Sequence, residues 1–278
     1  MPLLFSVSTS ERQPHTPELC SGHAVGGWFH VKAQGAGKAQ SRLRRVARPV
    51  ANRLWHFHLE GFERLPPTGP AILAPNHVSF LDSAFIMLQV PRNISFVGKA
   101  EYMDSWKTKY LFPMMGMIPI DRGGGERSQA ALDTAERVLR RGELFGIFPE
   151  GTRSRDGYLY KGRTGAARLA LQVGCPIFPV GVVGTREIQP PDAKFPKFRR
   201  ECTIRIGRPI NVARYAARGD DHIMLRQITD ELMFEIRELT GQEYRNEYAG
   251  KRAETEPTVT ATVGTVGGNE PAAAMGRQ

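Results

Sequence analysis

Residues 76–82 read Asn-His-Val-Ser-Phe-Leu-Asp, which sets His77 five positions ahead of Asp82. An imidazole that donates one ring N–H to a carboxylate keeps its other nitrogen free to take a proton. That is the base-and-orienter half of a catalytic triad. On a straight helix the two would stand roughly 140° apart, because five residues turn about 500°. They meet only if His77 lies in the loop after a strand and Asp82 in the first helical turn. A substrate hydroxyl would then replace the protein nucleophile. The same letters also describe a loop histidine followed by an aspartate that caps a helix. The stretch alone leaves both readings open.

Two further stretches concentrate polar groups behind apolar runs. In "FPEGTRSRDG", 148–157, a strand would deliver Glu150, Gly151, Thr152 and Arg153 to its end, with Arg155 close behind. Arg153 and Arg155 suit a phosphate, and Glu150 suits an arginine or a glycerol hydroxyl. The alternative is a polar hairpin with internal ion pairs. Lys161 adds a further cation. In "GMIPIDRGGGERS", 116–128, Arg122 precedes three glycines and a helix start. Exposed backbone N–H groups beside an arginine suit a phosphate, and a flexible glycine turn is the other reading. Neither nucleotide fingerprint, G-x-x-x-x-G-K-[ST] or G-x-G-x-x-G, is present. The apolar run "CPIFPVGVVGT", 175–185, reads as a core strand or a wall for an acyl chain. His56 and His58 lack the Cys or carboxylate neighbours of a metal site.

The elements needed to position these residues follow from periodicity. Strands are expected at 71–75, 94–98, 117–120, 144–149, 176–183 and 202–207, and helices at 83–90, 128–142, 166–174 and 220–241. Strands alternating with helices predict an α/β fold with a mostly parallel sheet and sites at the strand C-terminal ends. One domain is expected over residues 41–250. Residues 1–40, rich in Gly, Ser, His, Pro and Gln, read as disordered or as the product of a start placed too far upstream. Residues 251–278 read as a flexible tail. At the front of the domain, Leu43, Val46, Val50 and Leu54 fall at near-helical spacing among arginines. This is a basic amphipathic helix that either lies on an anionic bilayer or packs on the domain, with Pro49 interrupting it.

Net charge is +10, with 38 Lys and Arg against 28 Asp and Glu, and it points to an anionic partner. No window is long and apolar enough to span a bilayer. The first residues lack the basic and apolar regions of a signal peptide. Membrane contact is therefore expected at the surface. Cys20, Cys175 and Cys202 are too few for a disulfide framework, and the last two read as core. No recognised nucleic-acid motif accompanies the positive charge. The loop 190–201 mixes Lys and Arg with Phe and reads as solvated, or as a contact for lipid headgroups or coenzyme A phosphates.

In order, "NHVSFLD", "GMIPIDR", "FPEGTRS" and "IFPVG" resemble the four blocks of the glycerolipid acyltransferase family, whose best-known bacterial members are 1-acylglycerol-3-phosphate acyltransferases. The resemblance spans roughly residues 45–240. It implies that His77 is the general base, that Asp82 orients it, and that no acyl-enzyme forms. It implies a substrate-binding set of Asn76, Arg122, Glu150, Gly151, Thr152, Arg153 and Lys161 around a glycerol phosphate. It further implies an acyl-CoA or acyl-carrier protein donor, a lysophospholipid acceptor, no metal or other cofactor, and peripheral attachment to the cytoplasmic face of a membrane. In this context the catalytic pair displaces the cap as the reading of "NHVSFLD". A serine hydrolase would need a positioned serine; no G-x-S-x-G occurs, and Ser79 and Ser83 lie close to His77 in sequence. A non-catalytic basic module is the remaining class.

Overall fold

The computed structural model describes residues 37–99, 116–120, 125–191, 193–218 and 221–250. The expected disordered start up to residue 36 and the tail from 251 lie outside the described residues. Helix α1 spans Lys38–Leu54 and is followed by strand β1, His56–Glu60. Then come β2 (Ala71–Pro75), α2 (Leu81–Gln89), β3 (Ile94–Lys99), β4 (Met117–Ile120) and α3 (Gly125–Arg140). The second half holds β5 (Leu144–Gly146), β6 (Leu159–Tyr160), α4 (Gly165–Val173), β7 (Ile177–Val183) and the short α5 (Thr185–Ile188). It closes with β8 (Glu201–Ile206), α6 (His222–Thr240) and β9 (Tyr244–Arg245).

Seven strands form one sheet in the order β1-β8-β7-β2-β5-β3-β4. Every neighbouring pair is parallel except β7 and β8. The expected mostly parallel α/β sheet is therefore the observed one. Central strand β2 is buried at all five residues, as a strand covered on both faces must be. Its Ile72 and Ala74 join the cluster built with Ala135 and Leu139 of α3, Leu169 of α4 and Ile228 and Leu232 of α6. Ala71 and Leu73 face the other cluster, with Phe85 and Ile86 of α2 and Val180, Cys202 and Ile204. Cys175 and Cys202 are core residues, and burial pushes both thiols up to about 12.

Three local expectations change. The "LFGIFP" run ends as a strand at Gly146; the Ile147 N–H still donates to the Leu73 carbonyl at 3.0 Å, and Phe148–Pro149 lead into the polar loop. Helix α3 begins at Gly125, which puts Ser128 inside the helix instead of at its cap. Residues 56–60, where no strand is expected, are an edge strand on which His56 and His58 are exposed. Among the described residues no group of His, Cys, Asp or Glu could hold a metal ion, and no helix is long and apolar enough to cross a membrane.

Candidate active site

Strands β7, β2 and β5 are neighbours and parallel, so their carboxyl ends open on one edge of the sheet. Ligand sites of open α/β sheets lie at such an edge. Past the end of β2 come Asn76 and His77, past β5 come Phe148 and Glu150, and past β7 come Gly184 and Thr185.

Asp82 sits in the first turn of α2, behind an N-cap at Phe80, and is not itself the cap. Its carboxylate turns back onto the preceding loop. Oδ2 accepts from His77 Nδ1 at 2.9 Å and from the backbone N–H groups of Val78 and Ser79, each at 2.8 Å. Oδ1 accepts from the Thr185 hydroxyl at 2.6 Å. The Asp82 side chain is 0% exposed, while that of His77 is 18% exposed. With Nδ1 donating to Asp82, the imidazole presents Nε2 as a proton acceptor. The loop-then-first-turn geometry, which a straight helix forbids, is the one adopted.

The loop that carries His77 is gripped from the β5 side. Its N–H donates to Glu150 Oε1 at 2.9 Å, and its carbonyl accepts from the Ser154 N–H at 2.8 Å. The other Glu150 oxygen accepts from the Tyr160 N–H at 3.0 Å. Glu150 is fully buried, and burial pushes its carboxyl up to about 8, against the pull of these two backbone donors. Its carboxyl group thus holds main chain of the His77 loop and of Tyr160. The His77 ring stacks on Phe148, with centroids 3.8 Å apart and planes at 20°. Contact on one ring face and a bond at Nδ1 leave the imidazole little rotational freedom.

Asn76 is also buried. Its Nδ2 donates to the Val182 carbonyl at 2.9 Å and to Gln242 Oε1 at 2.8 Å, and its Oδ1 accepts from the Val182 N–H at 2.8 Å. It extends the β2–β7 pairing past Pro75 with side-chain atoms. Gly184 makes the turn into α5 with φ +94, and a Cβ there would lie 2.2 Å from the Glu201 carbonyl oxygen. Only glycine allows this close approach, which swings Thr185 onto Asp82.

The other expected residues divide. Gly151 holds φ +77. Thr152 and Arg153 follow it half-buried, and no described residue pairs with the Arg153 guanidinium. Lys161 points its ammonium at the Tyr248 ring, 5.7 Å from the centroid, and Arg163 shares that ring at 5.3 Å. Arg122 lies outside the described residues. Ser79 is buried, and its hydroxyl donates to the Gln189 carbonyl at 3.3 Å. Among the described residues no serine hydroxyl bonds the His77 ring. Sequence reasoning missed Thr185, Phe148 and Ser154. The glycine–threonine at the end of an apolar strand was the available signal for Thr185.

The Acyltransferase family model matches residues 56–183. Over that stretch the chain is similar to the acyltransferase family, and its likeness runs to the glycerolipid branch. A chloroplastic 1-acyl-sn-glycerol-3-phosphate acyltransferase of Arabidopsis thaliana is 31% identical over 49% of this chain and 38% of its own length. The mouse 1-acyl-sn-glycerol-3-phosphate acyltransferase alpha is 26% identical over 64% of each chain. The chain thus spans between about two fifths and two thirds of these two relatives. A solved 1-acyl-sn-glycerophosphate acyltransferase from Thermotoga maritima shares the fold, with a TM-score of 0.57 and 21% identity over 72% of this chain and 79% of that one.

Proposed function

We propose that the protein is an O-acyltransferase that moves a fatty acyl group from an acyl thioester to the free hydroxyl of 1-acyl-sn-glycerol 3-phosphate, giving phosphatidic acid. The observation that carries this reading is the buried Asp82 bonded to Nδ1 of a partly exposed His77, with no serine hydroxyl on that ring among the described residues. The hydroxyl that loses its proton must then come from the substrate. Nε2 of His77 takes that proton while the oxygen attacks the thioester carbonyl. The tetrahedral intermediate expels the thiolate, and the imidazolium returns the proton to sulfur. The reaction balances with no resident metal or other cofactor. Positioning supplies much of the rate, and the base adds a further ~10²–10⁴.

Arg153 is the half-buried guanidinium at this edge best suited to the acceptor's phosphate, with Gly151 and Thr152 shaping the turn that presents it. Arg122 and Lys161 are assigned to the same phosphate by the family resemblance. In this reading Asn76 and Glu150 act through the main chain they hold. The donor is acyl-CoA or acyl-carrier protein. The acceptor is met at the cytoplasmic surface of a membrane, and the excess of cations favours anionic lipid.

The test follows thiol release from acyl-CoA by the purified protein and its His77→Ala variant. Lysophosphatidic acid, glycerol 3-phosphate and no acceptor are compared. Release that requires both His77 and lysophosphatidic acid is expected. Release without any acceptor would make the protein a thioesterase instead, and release by His77→Ala at the wild-type rate would remove His77 as the base.

A further inference from the structure

Helix α1 packs in an unusual sense. Its polar side chains face the domain. Gln40 exchanges two hydrogen bonds with the backbone of Ile94, at 2.8 and 3.1 Å. Arg44 donates to the Arg92 carbonyl at 2.7 Å, and Arg48 donates to Gln89 Oε1 at 3.1 Å. The opposite stripe carries Arg42, Arg45, Val46, Val50 and Arg53, all exposed, with Val46 at 70% and Val50 at 55%. The helix is therefore anchored by hydrogen bonds and turns its valines outward, the reverse of a surface helix that serves its own core.

A second exposed segment meets α1 at its C-terminal end. In residues 193–200, Phe195 is 82% and Phe198 57% exposed, with Lys194, Lys197, Arg199 and Arg200 exposed around them. The Phe198 ring lies 5.7 Å from that of Trp55. Trp55 Nε1 donates to the Lys197 carbonyl at 2.9 Å, and the Arg199 N–H donates to the Leu54 carbonyl at 2.8 Å. Arg199 holds φ 54, the one positive φ of a non-glycine among the described residues, so the loop is kept in a set shape at some backbone cost.

Val46, Val50, Phe195 and Phe198 are four of the ten exposed large hydrophobics among the described residues, and the Phe198 ring joins the loop to α1 at Trp55. Residues 38–54 and 193–200 contain ten Lys and Arg and no Asp or Glu. Isolated exposed apolar residues need no explanation, but clustering inside a field of one sign does. The loop also reaches the catalytic edge. Lys197 N–H donates to the Ile188 carbonyl at 2.7 Å, and the next carbonyl, of Gln189, holds Ser79, two residues beyond His77.

We propose that the outward stripe of α1 and the Phe195–Phe198 loop together form one docking surface for an anionic lipid bilayer, with the two phenylalanines entering the headgroup layer. The cations supply attraction to anionic headgroups, and the rings supply the apolar anchor. The proposal rests on the lipid-acyltransferase reading for its purpose and its turnover readout, but not for its flotation test.

The test is co-flotation of the full chain with phosphatidylcholine vesicles, with and without about one-third phosphatidylglycerol. Wild type is expected to bind the anionic vesicles and to lose most binding in high salt. Phe195→Ser/Phe198→Ser should bind at least about tenfold more weakly. Lys194→Ser/Lys197→Ser should lose about fivefold per charge, and only on anionic vesicles. Both variants should keep wild-type turnover on a short-chain, water-soluble lysophosphatidate and lose it on vesicle-borne acceptor. Vesicle binding within about twofold of wild type in both variants would overturn the proposal. So would a lipid-free dimer that the phenylalanine substitutions dissociate, because the patch would then join two copies of the chain. Vesicle binding that follows the prediction, with no thiol release from either acyl-CoA or acyl-carrier protein on any acceptor, would uphold this surface and sink the acyltransferase reading alone.

Discussion

Thr185→Val isolates the least obvious part of the site. Valine keeps the shape of threonine and opens no cavity, so the change removes only the hydrogen bond to Asp82 Oδ1 at 2.6 Å. That oxygen belongs to a fully buried carboxylate, and no other donor among the described residues reaches it. A hydrogen bond to a charged group contributes about 1.5–3 kcal/mol, and an orphaned buried acceptor falls at the upper end. Folding stability should drop by roughly 2–3 kcal/mol, read from the midpoint of urea unfolding at unchanged slope. The carboxylate would keep its three contacts at Oδ2 but could pivot about them, and the imidazole it orients would move with it. Turnover should fall about 10- to 100-fold, with the acceptor KM nearly unchanged, because the loss is felt in proton transfer. Thr185→Ser restores the hydroxyl and lacks one methyl, so it should recover most of the turnover and come within about 1 kcal/mol of wild-type stability. Full turnover in a destabilised Thr185→Val protein would reduce Thr185 to a packing residue. Equal losses in the valine and serine variants would refute the hydrogen-bond argument.

Glu150 gives a pH test. Its carboxyl is raised from 4.5 to about 8, chiefly by burial. The folded state therefore holds this proton more tightly than the unfolded chain does. The associated stability is fully present below about pH 4.5 and is lost as pH rises through about 8. Glu150→Gln sets an amide N–H₂ against one of the two backbone donors, so it should be less stable than wild type at low pH, with a flatter profile between these limits. Parallel unfolding profiles for the two proteins would refute the assignment. Arg153→Ala should raise the KM for lysophosphatidic acid about 10- to 100-fold and leave that for the thioester near wild type; an unchanged acceptor KM would remove Arg153 from the phosphate site. Gly184→Ala forces a Cβ to within 2.2 Å of the Glu201 carbonyl at φ +94. It should lower stability by about 1–3 kcal/mol and displace Thr185 enough to lower turnover too. Wild-type behaviour in both assays would show that the turn yields without cost.

Much of the fold was legible because its signals are local. The apolar runs at 71–75 and 177–183 are central strands buried on both faces, and the stripe through 128–142 is one face of a helix. The edge strand at 56–60 was missed for a matching reason. Its burial pattern has little alternation, and its pairing with 201–205 comes from residues far along the chain. Helix α1 was found, but not its orientation. Apolar spacing marks a stripe and does not say whether core or solvent lies opposite it. That was decided by partners for Gln40, Arg44 and Arg48 that lie 41–54 residues away.

The amino-acid order by itself determined which groups are available for chemistry: a histidine and an aspartate five apart, an acid and an arginine on either side of a glycine, and a surplus of cations. Types and spacing are written in the chain, and so is the family they resemble. Only the tertiary structure decided what each group does. Thr185 reaches Asp82 across 103 residues, Glu150 reaches the amide of His77 across 73, and Asn76 reaches Gln242 across 166. Such contacts exist because parallel strands bring distant segments to the same sheet edge, and no local pattern encodes which side chain will arrive there. Glu150 looks like a substrate ligand in the sequence and is a buried brace in the fold, because burial is a property of everything packed around a residue.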